Sequence, residues 1–219
     1  MKKLYLGLLI LVLTALVAPA NAQLVLTLYD GTNIDTVYDT DNDGLLTRND
    51  ILGGWTVNVT TALGAPTIGD PYSDVIHLNS VNVSGGVGEL QIFLTQTDLG
   101  REPAPWMANI GGTTKGTVQF AAGYDAGNSA YIPTISGSIT DVLFSTAALG
   151  SGAFSYSNSG GLPDLAGPYS LTLASLLSHT DKGQTSSFDF EITIPEPAIL
   201  LLMGIGLLGL GLSAKHRKA

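Results

Sequence analysis

The sequence predicts an all-β domain, an antiparallel β-sandwich of the jelly-roll or immunoglobulin-like Greek-key type. Apolar and polar side chains alternate with a period of two in several short segments, as in Trp55–Thr60, so that one face of each strand would be buried. No stretch of residues 23–194 keeps the spacing of about 3.6 residues that an amphipathic helix needs. Glycine pairs interrupt the chain at short intervals, which is typical of sandwiches.

The strands are predicted in chain order from these patterns. Alternation is cleanest in Trp55–Thr60, Leu90–Thr95 and Phe188–Ile194. Further predicted strands are Leu24–Tyr29, Ile76–Ser84, Thr117–Ala122, Ser138–Phe144, Ala153–Ser157 and Tyr169–Leu176. The phase of alternation changes inside Ile76–Ser84, which predicts a β-bulge near Asn79. Leu99–Asn109 contains two prolines and is predicted to be a long loop.

The N-terminus has the three parts of a cleaved signal peptide. Two lysines precede an uncharged run, Leu4–Ala18, and Ala20 and Ala22 then form the small-x-small site that signal peptidase cleaves. The apolar run is too short for a permanent membrane helix, which needs about 20 residues. Residues 1–22 are therefore predicted to be removed on export.

The C-terminus also has three parts: a Pro-Glu-Pro element, an apolar segment and a basic cluster. The apolar segment, 198–214, can span a slightly thinned bilayer as a transmembrane helix if the basic side chains extend to the interface. By the positive-inside rule the basic cluster stays in the cytoplasm, and the domain before the helix lies outside. The residues of the two flanking parts are Pro195, Glu196 and Pro197 and, after the helix, Lys215, Arg217 and Lys218.

This tail, residues 195–219, resembles the PEP-CTERM sorting signal of Gram-negative bacteria that make exopolysaccharide. The resemblance implies that an exosortase, a membrane-embedded cysteine transpeptidase, recognises the precursor in the inner membrane. Cleavage near the Pro-Glu-Pro element would then release the domain or transfer it to the cell surface. The alternative is a plain single-pass anchor that follows a proline-containing linker.

Residues 23–194 are predicted to form one domain, since 172 residues suffice for one substantial core. This region contains four basic residues and seventeen acidic ones. The acidic excess disfavours nucleic acid and anionic lipid as partners and leaves cations and neutral polymers. The chain has no cysteine, which excludes disulfides and zinc–thiolate sites, so stability must come from the core or from bound metal.

One motif with the spacing of metal ligands lies between residues 39 and 50. Carboxylates occupy positions one, three, five and twelve, and glycine occupies position six, which is the pattern of an EF-hand-type calcium loop. Alternate residues of a tight turn would direct three carboxylates at the Ca²⁺ ion, and a backbone carbonyl, a water-mediated contact and the twelfth residue would complete its shell. The predicted ligands are Asp39, Asp41, Asp43, Leu45, Thr47 and Asp50.

Two features argue against a full EF-hand. Position twelve is Asp50 rather than glutamate, so its shorter side chain binds the ion bidentately only if the loop tightens, as in dockerin-like calcium loops. The flanks do not suit a helix pair, because a strand is predicted from Trp55 onward. The alternative is an acidic solvated loop in which Asn42–Gly44 makes a turn.

No catalytic constellation is evident in the sequence. The histidines of residues 23–194 are His77 and His179, neither neighbours a nucleophile elbow, and no carboxylate pair suits a glycosidase. We therefore predict a non-enzymatic cell-surface or extracellular-matrix protein associated with exopolysaccharide. The first alternative is a carbohydrate-binding module in which Trp106, exposed in the predicted loop, stacks on a sugar. The second alternative is a secreted hydrolase.

Overall fold

The computed structural model describes residues 22–69, 73–100, 105–133, 141–163, 165 and 167–195. These residues contain no helix and form twelve β-strands. The strands are β1 (Leu24–Tyr29), β2 (Ile34–Tyr38), β3 (Leu45–Leu52), β4 (Trp55–Leu63), β5 (Ser73–Ser84), β6 (Gly88–Leu99), β7 (Pro105–Thr114), β8 (Thr117–Asp125), β9 (Asp141–Ser145), β10 (Gly152–Gly161), β11 (Tyr169–His179) and β12 (Thr185–Pro195).

The strands build two antiparallel sheets of six strands each. Sheet 1 has the order β2-β1-β6-β11-β8-β9, and sheet 2 has the order β10-β7-β12-β5-β4-β3. The last eight strands arrange β5-β12-β7-β10 in one sheet and β6-β11-β8-β9 in the other, which is the strand order of a jelly roll. The first four strands widen this unit. Strands β1 and β2 extend sheet 1 beyond β6, and strands β4 and β3 extend sheet 2 beyond β5.

Aromatic side chains from both sheets meet in one core. The ring centroid of Phe120, on β8 in sheet 1, lies 5.1 Å from that of Phe188 and 5.4 Å from that of Phe190, both on β12 in sheet 2. All three rings are buried within a cluster to which both sheets contribute. Apolar burial of this kind is the main favourable term in folding, at about 25 cal/mol per Å². It joins the two sheets as a β-sandwich in a chain without disulfides.

The strands with the cleanest predicted alternation are confirmed as parts of β4, β6 and β12, and β1 has the predicted bounds. The predicted bulge near Asn79 is confirmed as well. Val81 lies opposite Phe188, whereas Leu78 lies opposite Phe190, so β5 carries one residue more than β12 at this point.

The predicted long loop Leu99–Asn109 is wrong. Strand β6 continues to Leu99, and β7 begins at Pro105 and pairs with both β10 and β12. Pro105 is the first residue of its strand, where its missing N–H does not interrupt the ladder. No strand is predicted at β2 or β3, because the polar residues of these two segments conceal the alternation.

The two terminal signals lie almost wholly outside the described part of the chain. Ala20 belongs to the undescribed N-terminal segment, and Ala22 is the first described residue. The proposed helix 198–214 also falls beyond the last described residue, so the predictions for both segments stay predictions. Within the described ranges, no helix has the length and apolar character needed to cross a membrane.

Candidate functional site

An acidic turn, residues 39–44, joins β2 to β3 and is fixed to its surroundings by backbone hydrogen bonds. The N–H of Asp39 donates to the carbonyl of Leu24 at 2.9 Å, and the carbonyl of Gly44 accepts from the N–H of Gly64 at 2.9 Å. Asn42 and Gly44 both have positive φ, at 56° and 75°. A Cβ atom on Gly44 would lie 2.5 Å from the carbonyl oxygen of Gly64, so the close approach of these two segments requires glycine.

The turn brings three carboxylates together: oxygen atoms of Asp39, Asp41 and Asp43 lie within 4.8 Å of one another. The side chain of Asp39 is only 1% exposed, whereas the other two are exposed. Oδ2 of Asp39 accepts the N–H of Gly44 at 2.8 Å, and Oδ1, also buried, has no hydrogen-bond partner among the described residues. Oδ1 of Asp43 accepts the N–H of Leu45 at 2.9 Å. The cluster therefore holds a buried acceptor that no donor among the described residues satisfies.

The electrostatics of the turn favour a positive partner. Burial raises the pKa of the Asp39 carboxyl above its ordinary value, against the lowering effect of the Gly44 N–H. The contact with Asp41 and the charge of Asp43 act in the same direction as burial. Three clustered carboxylates are a donor set that suits a hard divalent cation such as Ca²⁺, which takes six to eight oxygen ligands.

Two predicted ligands, Thr47 and Asp50, do not join this cluster. Strand β3 begins at Leu45, and an extended chain rises about 3.3 Å per residue, so Asp50 lies about 17 Å farther along the strand. Asp50 instead forms an ion pair with Arg48, whose Nε donates to Oδ2 of Asp35 at 2.9 Å. The twelve-residue EF-hand geometry is therefore wrong for this chain, and the cluster consists of the first three predicted carboxylates.

Trp106 is buried in β7 rather than exposed in a loop, with 4% of its surface exposed. Its ring stacks on Phe144 of β9, with centroids 5.6 Å apart. A Cβ atom on Gly160 of β10 would lie 2.7 Å from the indole Cζ2, so this glycine covers the indole directly. The prediction that Trp106 stacks on a sugar is wrong, because the indole belongs to the core.

The two histidines of the domain occupy different environments. His179 is buried, its Nε2 lies 2.9 Å from Oγ of Ser186, and its ring centroid lies 4.9 Å from that of Trp55. Burial lowers the pKa of His179. His77 is partly exposed, and its Nδ1 lies 3.6 Å from Oε2 of Glu191.

The outer face of sheet 2 carries a groove of about 450 Å³, lined by β5, β7, β10 and β12, that is not predicted from the sequence. One signal was available: the alternation in Phe188–Ile194 assigns Asp189 and Glu191 to the face opposite the core. The pairing of β12 with β7, which places these carboxylates beside Asn109 and Gly111, is not readable from the sequence.

Residues 193–218 match the family model of the PEP-CTERM protein-sorting motif. The match begins inside β12, which ends at Pro195. The other predicted sorting residues lie outside the described part of the chain: Glu196, Pro197, Lys215, Arg217 and Lys218. The motif supports an exported, membrane-anchored precursor that an exosortase processes.

No curated protein matches the sequence. Among solved structures, the chain is similar to the enzymatically active domain of tailspike protein 4 from bacteriophage CBA120, with 14% identity and a TM-score of 0.34. The similarity covers 63% of this chain and only 19% of the tailspike chain. The chain is also similar to the K1 cleaved adhesin domain of Lys-gingipain from Porphyromonas gingivalis W83, with 11% identity and a TM-score of 0.34 over 69% of this chain and 98% of that one. A carbohydrate-binding module that recognises mannan gives 12% identity and a TM-score of 0.32 over 78% of this chain and 98% of that one.

Proposed function

We propose that this chain is a non-enzymatic surface or extracellular-matrix protein, delivered as a folded jelly-roll domain by exosortase processing and stabilised by Ca²⁺ bound at the acidic turn. Its setting is the cell surface or the extracellular polymer, with exopolysaccharide as the associated material. The observation that carries the proposal is the PEP-CTERM motif at residues 193–218, which begins within the last strand of the domain.

The position of the motif in the fold supports delivery of a folded domain by exosortase processing. Strand β12 lies between β7 and β5 near the centre of sheet 2, and Pro195 is paired with Ser73 at its end. Cleavage after this strand leaves every sheet pairing of the domain intact. The released product would therefore be a complete domain and not an unravelled one.

A calcium ion gives the acidic turn a structural role. A surface domain without disulfides gains stability from any ion that binds its folded state alone. Asp39 is well suited to such a role because one of its buried oxygens has no hydrogen-bond partner among the described residues and because its carboxylate clusters with those of Asp41 and Asp43. Ca²⁺ would neutralise their mutual repulsion and supply the missing partner.

The sorting part of the proposal is tested by replacing Pro195 and Pro197 with alanine in the full-length precursor. The prolines keep the segment before the helix extended, as a protease cleft requires, and alanine would let the helix extend into it. We expect the double variant to stay in the inner membrane fraction. Pro168→Ala, an exposed proline outside the motif, serves as the matched control and should be released like the wild type.

Fractionation of cells with and without the exosortase provides the measurement. Release of the wild type that depends on the exosortase, together with retention of the double variant, supports the proposal. Unchanged release of the double variant, or equal release in cells without the exosortase, would show that the tail is only a plain anchor.

A further inference from the structure

The groove on the outer face of sheet 2 is built from two neighbouring rows of side chains that cross the strands. In the first row, Asn109 of β7 lies between Ser157 of β10 and Glu191 of β12, and His77 of β5 follows Glu191. In the second row, Gly111 of β7 lies between Ser155 of β10 and Asp189 of β12, so the middle position has no side chain. This gap forms the floor of the groove.

The missing side chain at Gly111 has no structural explanation. A Cβ atom there would meet nothing within 4 Å, and Gly111 is not among the glycines with positive φ. The next residue differs, since a Cβ on Gly112 would lie 2.2 Å from the carbonyl oxygen of Ser187 and collide with the opposite strand. Glycine weakens a strand, and in a strand interior it often marks a bulge, a tight bend or a place where a ligand or another backbone approaches closely. The pairing of β7 with β10 and β12 is regular at Gly111, so no bulge explains it. Gly111 therefore points to an occupant of the groove.

One wall of the groove offers polar groups that are free for a ligand. Asn109, Ser155 and Ser157 make no side-chain hydrogen bond to any residue that the structure describes, and all three are exposed. Together they present an amide and two hydroxyl groups above the floor. These groups both donate and accept hydrogen bonds, as vicinal hydroxyls require.

The other wall consists of two carboxylates that the fold holds in place. Oδ1 of Asp189 accepts the N–H of Ser80 at 2.6 Å. Oε1 of Glu191 accepts the hydroxyl of Thr193 at 3.3 Å, and Oε2 lies 3.6 Å from Nδ1 of His77. Carboxylates fixed in this way are strong acceptors for hydroxyl donors, because charge-assisted hydrogen bonds are stronger than neutral ones.

We propose that this groove binds a neutral, hydroxyl-rich sugar unit of a polysaccharide. The proposal deepens the proposed function and rests on it, since it names where the surface protein contacts its polymer. Asp189 and Glu191 disfavour anionic polymers, as does the net charge of −9. A sugar ring would lie over Gly111, with its hydroxyl groups donating to the carboxylates on one side and bonding with Asn109 and Ser155 on the other.

The test uses the full-length chain in a zwitterionic detergent, which adds no competing sugar. The protein is run by affinity electrophoresis through native gels that contain dextran, mannan or galactan, with alginate as an anionic polymer and EDTA throughout to exclude bridging by metal. At least one neutral polymer is expected to retard the wild type, and alginate is not.

Gly111→Val fills the groove and is compared with Thr113→Val, which places valine two residues farther along the outer face of β7, outside the groove. Filling the groove should weaken retardation at least tenfold, whereas the control should be retarded like the wild type. Valine favours a strand, so the melting temperature of Gly111→Val should not fall below that of the wild type. Asn109→Ala, which removes a free amide without filling space, should weaken retardation by a smaller factor.

The proposal is overturned if none of the neutral polymers retards the wild type. It is also overturned if Gly111→Val and Thr113→Val are retarded equally. If Gly111→Val does not fold, unchanged retardation of Asn109→Ala overturns it. These results are separate from the release assay for Pro195 and Pro197, because exosortase release can fail while the groove binds polymer, and the groove can be inert in a protein that is correctly released.

Discussion

The N–H of Gly44 donates to Oδ2 of Asp39 at 2.8 Å, while Oδ1 of the same buried carboxylate has no hydrogen-bond partner among the described residues. A buried acceptor without a partner costs about 1–3 kcal/mol, and more when it carries a charge. Asp41 and Asp43 add repulsion instead of compensation. We therefore expect the turn to destabilise the domain by itself and the proposed Ca²⁺ ion to reverse this effect, which leads to separate predictions for the two states.

Replacing Asp39 by asparagine should separate the two states. The asparagine side chain retains an oxygen to accept the N–H of Gly44 and gains an amide that can donate to Asp41, while the buried charge is removed. In chelator, we expect the melting temperature of Asp39→Asn to equal or exceed that of the wild type. In calcium, the variant should show no further rise. Differential scanning fluorimetry checks both results, and a variant that melts well below the wild type in chelator would contradict this account of the turn.

His179 should make the domain sensitive to mild acid. Its pKa is lowered by burial from the ordinary value of 6.5, so as the pH falls past that value the unfolded chain takes up a proton that the folded chain does not. Stability from this group is complete above the unfolded value of 6.5 and is lost as the pH falls toward the folded pKa. The loss cannot exceed about 1.4 kcal/mol per pH unit for one proton.

Urea unfolding of the wild type and of His179→Gln, measured at several pH values, tests this prediction. Glutamine can still hydrogen-bond to Ser186 but does not titrate. The variant should have a flatter stability curve than the wild type as the pH falls below 6.5. Parallel curves for the wild type and His179→Gln would exclude His179 as the source of the slope.

Phe120 should be among the residues that matter most for stability, because its ring contacts aromatic rings of the opposite sheet at 5.1 and 5.4 Å. Phe120→Ala is expected to cost about 3–5 kcal/mol, the usual range for a buried phenylalanine. Phe154, whose ring centroid lies 5.7 Å from that of Phe120, is only half-buried and is the matched control. Phe154→Ala should lower the free energy of unfolding by less than Phe120→Ala does. Chemical denaturation measures both, and equal losses would contradict the packing described here.

The fragment Gln23–Ile194 should fold alone as an all-β domain, since its end coincides with the end of β12 to within one residue. Neither terminal signal contributes to the alternating pattern of its strands. Circular dichroism of the purified fragment should show strand and no dominant helix. A helical or unfolded spectrum would mean that the terminal segments are needed for folding.

The sequence predicted the strands that have one buried face, because a period of two reports burial directly. Trp55–Thr60 is such a segment, and its inward side chains are all in the core. The bulge near Asn79 was also readable, as a change in the phase of alternation. Strand β3 was not, because Arg48 and Asp50 form an ion pair on the same face as the buried Leu46 and Leu52 and give the segment the composition of a loop.

The candidate site was only partly predictable for a similar reason. Spacing along the chain identified Asp39, Asp41 and Asp43 correctly as neighbours, because a tight turn brings alternate residues together. Spacing could not show that the chain becomes extended at Leu45 and carries Asp50 away. The rows of side chains in the groove on sheet 2 depend on which strands pair, and no local sequence pattern predicts that pairing.

The most direct test of the calcium-stabilised surface domain is the melting temperature of the Gln23–Ile194 fragment in calcium and in chelator at matched ionic strength. Extracellular calcium sites bind at about 0.1–1 mM, so calcium at tenfold the dissociation constant should stabilise by about 1.4 kcal/mol. For a domain of this size that is a rise of about 3 °C, which Asp41→Ala combined with Asp43→Ala should abolish. Asp141→Ala combined with Asp181→Ala removes the same charge from exposed positions elsewhere and should leave the rise unchanged. Overlapping wild-type curves in calcium and in chelator would contradict the account and show that the acidic turn is only a solvated loop.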